Sequence, residues 1–179
     1  MTDLGLLGPE NTYHDIARQR FLPNLSFSFF NNFDDIFTAL KEGKIKKALI
    51  AVRNNASGLV SNNLERIRAA QFKIVQEYDL PVNLCLGSNR PLSLREITKI
   101  YSHTMAIKET QKFFSKYSHI TFISSTSTAG AIQELVNNRE KTAAVISSKE
   151  AIETNNLLLI AENIEDHPDN KTTFTLIEG

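Results

Sequence analysis

Phe72-Lys73-Ile74-Val75-Gln76-Glu77-Tyr78-Asp79-Leu80-Pro81-Val82-Asn83-Leu84-Cys85-Leu86 is the stretch that decides the fold. It is too long and too extended in character for an ordinary strand, and Asp79-Leu80-Pro81 interrupts it. A proline inside a strand pattern marks an edge or an end. The run therefore reads as one strand that leaves a first lobe and enters a second. A matching return is expected near residues 155–160. Two lobes joined by two crossing strands would leave a cleft, a usual place for a small ligand. The expected division is 1–79 with 157–179 in the first lobe and 80–156 in the second.

On either side of this stretch, short apolar runs alternate with amphipathic segments, the pattern of an α/β protein. Strands are expected at Leu4 to Leu7, Leu25 to Phe29, Lys47 to Val52, Lys99 to Ser102, Ile120 to Ile123, Ala143 to Ile146, Leu157 to Ala161 and Thr172 to Ile177. Thr12, with Asp15 three residues on, opens a helix in capping-box fashion. Asn32 caps another, whose Phe33, Ile36, Phe37 and Leu40 share one face, and Gly43 ends it. Further helices are expected around Asn62 to Ala70, from Ile107 to Tyr117, from Ser127 or Thr128 to Asn137, and after Ser147, with Glu150 completing a second capping box.

Composition narrows the function. The chain has 179 residues, of which 41% are hydrophobic and 22% charged, with 20 basic and 20 acidic residues and no net charge. Nucleic-acid or anionic-membrane binding normally needs a basic excess. Trp is absent, so no base-stacking platform stands out. No signal-peptide pattern opens the chain and no apolar run reaches membrane-spanning length. The single Cys85 cannot form an internal disulfide, which points to a reducing cytoplasm. No phosphate-binding loop, dinucleotide fingerprint or nucleophile elbow is present. His14, His103, His119 and His167 share no metal-site spacing, and without those motifs a nucleotide cofactor is not expected. His103, at a strand end, reads as a capping group.

Two turns offer N–H groups and hydroxyls at a helix start: Gly8-Pro9-Glu10-Asn11-Thr12 and Ser125-Thr126-Ser127-Thr128-Ala129-Gly130-Ala131. Each reads as an anion site or as a plain helix cap, two roles that do not exclude one another. The loop Arg53-Asn54-Asn55-Ala56-Ser57-Gly58 either grips a carboxylate through Arg53 or lies solvated at the surface. Near the end, Asn170-Lys171-Thr172-Thr173-Phe174 places the Thr172 hydroxyl at the mouth of a strand, where α/β proteins keep ligand sites.

In order and spacing these segments resemble the catalytic domain of prephenate dehydratase across nearly the whole chain. Leu7 to Tyr13 is similar to the family's Gly-Pro-x-Gly-Thr-Phe turn, with Asn11 for the glycine. Ser102-His103 matches the start of its Ser-His-Pro segment, with Thr104 for the proline. Ser127-Thr128-Ala129-Gly130-Ala131 resembles its Ser-Thr-Ala-x-Ala segment. Ala143 to Val145 and Asn163 to Asp166 resemble its later strand and loop. The resemblance implies a fold like type II periplasmic binding proteins and a carbon–oxygen lyase of phenylalanine biosynthesis. Such an enzyme turns prephenate into phenylpyruvate, water and carbon dioxide.

Thr172 falls at the catalytic threonine of the family's Asn-x-Thr-Arg-Phe motif. Thr12, Arg53, Asn54, Asn55, Ser127, Thr128, Ala129, Thr173 and Phe174 would bind the substrate. The family's dimers and tetramers imply a homo-oligomer, here a dimer. The chain stops where the family's regulatory amino-acid module would begin, so phenylalanine feedback through such a module is not expected. Three departures fall in the site. Thr173 stands for the motif's arginine, Arg53-Asn54-Asn55 for a Glu-Asn-Ser loop, and Ala51 for a proline. An arginine lost at 173 and gained at 53 reads as a compensating swap. A non-aromatising prephenate decarboxylase and a non-catalytic binder of a small carboxylate are the alternative readings.

Overall fold

A computed structural model describes residues 2–179. The chain forms two compact units, one running to Pro81 and resuming at Lys171–Gly179, the other Val82–Asn170. The first unit opens with β1 (Thr2–Leu7), α1 (Tyr13–Phe21), β2 (Phe27–Phe30), α2 (Phe33–Lys41) and β3 (Ile45–Asn54). It continues with β4 (Gly58–Leu59), α3 (Asn63–Ala69) and β5 (Lys73–Pro81). The second unit holds β6 (Cys85–Ser88), β7 (Lys99–His103), α4 (Thr104–Lys108), α5 (Gln111–Phe114) and β8 (Thr121–Ser125). It ends with α6 (Thr128–Asn138), β9 (Ala143–Ser147), α7 (Lys149–Thr154) and β10 (Leu158–Ala161), and β11 (Lys171–Glu178) returns to the first.

In the first unit the strands lie in the order β2-β1-β3-β11-β5, with β4 paired to the end of β3. β1, β2 and β3 are parallel, and β11 inserts antiparallel between β3 and β5. Alternation along β3 sends Leu49 and Ala51 to one face, where Ala17 of α1 packs with Leu4, Leu6, Phe174 and Leu176. It sends Ala48, Ile50 and Val52 to the other, against Ile36 and Leu40 of α2 and Ile67 of α3. A sheet covered on both faces needs near-continuous apolar strands, which is what Ala48 to Val52 supplies.

The second sheet runs β10-β6-β9-β7-β8, with β7, β8 and β9 parallel and β6 antiparallel to β9 and β10. Ile132 and Leu135 of α6 and Ile152 of α7 pack with Cys85, Val145 and Leu157 in its core. No helix among the described residues is long and apolar enough to cross a membrane.

Four sequence expectations need correction. The return crossing lies at Asn170–Lys171, not near 157, because Leu158–Ala161 pairs with β6 through Leu158↔Ser88 and Leu159↔Gly87. The expected helix from Ile107 to Tyr117 is broken into α4 and α5. The buried Thr110 hydroxyl bonds back to the Ala106 carbonyl at 2.9 Å, a habit that disrupts helices. Helix α7 is capped by Ser148, whose Oγ accepts the Ala151 N–H at 3.1 Å, while Ser147 is a fully buried residue of β9. Arg53 and Asn54 are not loop residues but the last two of β3, paired with Leu59 and Gly58 of β4.

Candidate active site

The end of the first sheet where β3, β4, β11 and β5 meet gathers six of the ten candidate residues. It is shaped by an irregularity. Along β11, Phe174 lies opposite Ala51 but Thr173 lies opposite Arg53, so Val52 is an extra residue on β3. Such a bulge reverses which residues share a face. Asn54 is thereby the cross-strand partner of Thr172, and Arg53 that of Thr173.

On one face, Asn54 Nδ2 donates to Thr172 Oγ1 at 3.1 Å, and both residues are buried. Asn54 is held for this by its own turn. Its Oδ1 accepts the N–H groups of Ala56 and Ser57, each at 2.9 Å, and the Ser57 hydroxyl at 3.0 Å. An Asn carbonyl that fixes the following residues is a common turn device. Asn55 ties the two strands together. Its N–H donates to the Lys171 carbonyl at 3.0 Å and its Oδ1 accepts the Lys171 N–H at 2.7 Å. Phe174 is 1% exposed, and the His14 ring meets it edge-on at 5.0 Å.

The other face carries the charge. Arg53, Thr173 and Asp79 form one row across β3, β11 and β5. The Thr173 hydroxyl donates to Asp79 Oδ1 at 2.7 Å, and Lys171 Nζ reaches Asp79 Oδ2 at 2.6 Å. Hydrogen bonds from Lys171 and then Thr173 hold the Asp79 carboxyl below its ordinary range, and the charges of Lys171 and Arg53 add to this. Arg53 is exposed, and its side chain, unlike its ladder-paired backbone, makes no hydrogen bond or ion pair among the described residues. Its guanidinium lies in the same row as Thr173, its direct cross-strand partner, and within electrostatic reach of Asp79.

Thr12 caps α1 in the same unit. Its hydroxyl donates to the Pro9 carbonyl at 3.0 Å and accepts the Asp15 N–H at 3.4 Å. The capping box closes one residue early, because Asp15 Oδ2 takes the N–H of Asn11 at 3.0 Å. Asn11 adopts φ 63, a left-handed geometry that Asn tolerates. The anion at this helix start is thus the protein's own, and Asp15 is in turn paired with Arg18 at 2.6 Å.

Ser127, Thr128 and Ala129 belong to the second unit, at the N-terminus of α6. Ser127 Oγ accepts the Gly130 N–H at 2.8 Å, and helix geometry leaves the first N–H groups of α6 without intrahelical partners. His103 is a cap as expected, its Nδ1 accepting the Met105 N–H at 3.3 Å, and burial lowers its pKa. Three features escaped the sequence reading. His14, 8% exposed, accepts the Ala51 N–H on Nε2 at 3.3 Å, and burial lowers its pKa to about 3. Asn63 and Ser125 are buried with an oxygen, Oδ1 and Oγ respectively, that has no partner among the described residues. Only the polar character of these residues inside apolar surroundings could have marked them.

Comparison with known proteins agrees with this architecture. The family model for prephenate dehydratase matches residues 4–179. The chain is 26% identical over 178 residues to a bifunctional chorismate mutase/prephenate dehydratase of Buchnera aphidicola, covering 97% of this chain and 48% of that protein. It is 28% identical to a prephenate dehydratase of Lactococcus lactis, covering 97% of this chain and 62% of that one. A crystal structure of prephenate dehydratase from Arthrobacter aurescens, in complex with L-Phe, superposes with a TM-score of 0.88. That match is 22% identical and covers 98% of this chain and 60% of that one. The same α/β fold extends to periplasmic-binding-protein-like domains. The chain belongs to the prephenate dehydratase family. It spans about half the length of the first curated relatives it matches.

Proposed function

We propose that the chain is a prephenate dehydratase domain. The ring carboxylate of prephenate leaves as carbon dioxide, and its bonding electrons move through the diene to form the aromatic ring. The C4 hydroxyl departs and, with a proton, becomes water, leaving phenylpyruvate. Aromatisation drives the reaction, so the protein has to orient a dianion and assist the leaving group.

The observation that carries this reading is the Asn54–Thr172 hydrogen bond. Asn54 donates, so a lone pair of Thr172 Oγ1 is engaged and the hydroxyl proton is left to donate elsewhere. Accepting a hydrogen bond also polarises the O–H and makes it a better donor. In this scheme Thr172 donates to the departing hydroxyl. Arg53 supplies the cation that position 173 lacks, and Thr12, Asn55, Ser127, Thr128, Ala129, Thr173 and Phe174 complete the substrate contacts. The substrate is a small dicarboxylate, and no metal or organic cofactor takes part. As parts of the same proposal, the protein is a cytoplasmic homodimer acting in phenylalanine biosynthesis.

The test is turnover of prephenate with products resolved by mass spectrometry. Phenylpyruvate is the expected product. A decarboxylated product that keeps its hydroxyl, or binding without turnover, contradicts the proposal.

A further inference from the structure

Strand β3 is bordered by β11 along one side, but its other side has a gap. β1 covers it as far as Leu49, and the Val60 N–H and β4 take over at Val52 and Arg53. Ala51 sits in the gap, next to the bulge residue Val52. A strand residue without a neighbour would leave buried backbone groups unpaired, which folded proteins avoid. Two buried side chains fill the place of the missing strand. His14 Nε2, from the first turn of α1, accepts the Ala51 N–H at 3.3 Å. Asn63 Nδ2, from the first turn of α3, donates to the Ala51 carbonyl at 2.9 Å. The His14 ring is braced between Phe174 at 5.0 Å and Phe33 at 5.6 Å.

The position of the bulge decides the site. Without the extra residue, Thr173 would lie opposite Val52 and Thr172 opposite Arg53. With it, Thr172 receives the Asn54 amide, and Arg53 moves to the row of Thr173 and Asp79. We infer that His14 and Asn63 are positioning residues, clamping Ala51 so that the bulge stays at Val52 and Asn54 stays against Thr172. The inference rests on the proposed role of Thr172. Neither residue touches substrate; both act through the backbone of β3.

The experiment pairs kinetics with amide hydrogen exchange followed by NMR. It uses the full chain and the variants His14→Phe, His14→Gln and Asn63→Leu, with prephenate as substrate. Phe keeps a ring but cannot accept a hydrogen bond, whereas the Gln Oε1 can. The Ala51 amide of the unaltered protein is expected to be protected at least 100-fold. His14→Phe is expected to lose that protection and at least tenfold in kcat, with KM within twofold, and His14→Gln to recover both. If His14→Phe does not fold, Asn63→Leu carries the test through the same kcat loss at constant KM. An unprotected Ala51 in the unaltered protein overturns the inference. So does unchanged kcat in His14→Phe or in Asn63→Leu, or a kcat loss that Gln does not rescue while Ala51 stays protected. Should the unaltered protein not turn prephenate over, the role of Thr172 fails separately. The Asn54 side-chain amide resonances then decide the clamp. They move in His14→Phe and return in His14→Gln if it is correct, and stay fixed if it is wrong.

Discussion

Acidification from pH 7 to pH 5 is expected to cost the fold about 2 kcal/mol through His14 alone. The ring is 8% exposed and its Nε2 is committed as an acceptor, so the folded protein holds it neutral. Burial lowers its pKa from 6.5 to about 3. In the unfolded chain it titrates near its ordinary value. Between these two values the unfolded state binds a proton that the folded state does not. The stabilisation is complete above 6.5 and is lost as pH falls towards 3. The loss is about 1.4 kcal/mol per pH unit, and pH 5 lies about one and a half units below the unfolded pKa. Against a typical domain stability of about 5–15 kcal/mol, this is a large share. Urea denaturation at both pH values measures it, with His14→Gln as reference. His103, whose pKa burial also lowers, is common to both proteins and cancels in the difference. Equal pH dependence in the two proteins would refute the argument.

Arg53→Ala is expected to raise KM for prephenate about 10- to 100-fold, the worth of a charge-assisted hydrogen bond at about 1.5–3 kcal/mol, with a smaller change in kcat. Adding Thr173→Arg to that variant is expected to restore affinity, because the two positions are cross-strand partners; steady-state kinetics of the double variant read this directly. Gly87→Ala is expected to destabilise by about 1–3 kcal/mol in a urea titration. A Cβ there would lie 2.9 Å from Ile152 Cγ2 in the core of the second unit. Ser127→Ala removes the cap of α6 and is expected to cost about 0.5–2 kcal/mol by the same measurement.

Much of the fold was legible because its signals are local. Alternation and turn residues located the strands, and Thr12, Asn32 and Ser127 each cap the helix they announce. What was not legible depends on pairing across distance. Leu157 to Ala161 reads as a strand in either sheet, and only its hydrogen bonding to β6 assigns it to the second unit. Ser147 and Ser148 are equal candidates for a cap until β9 claims the first for its buried end.

The candidate site divides in the same way. Thr172 and Asn54 could be named from the chain, since both stand in recognisable segments. Their pairing could not, because it depends on one extra residue in β3 relative to β11. Sequence carries no mark of that bulge. His14 shares no metal-site spacing with the other histidines and stands in no motif, and its acceptor role appears only once Ala51 is placed beside it. Arg53 was read as a loop cation; strand pairing gives it a definite face and a definite neighbour.

The most direct test of the central claim is the rate of phenylpyruvate formation from prephenate by the unaltered chain and by Thr172→Ala at neutral pH. The account predicts phenylpyruvate well above the spontaneous rate with the unaltered chain and a loss of at least 100-fold in kcat with the variant, as expected for removal of a positioned acid. Equal rates in the two proteins would contradict the role given to Thr172, and no rate above the spontaneous one in either would contradict the dehydratase reading itself.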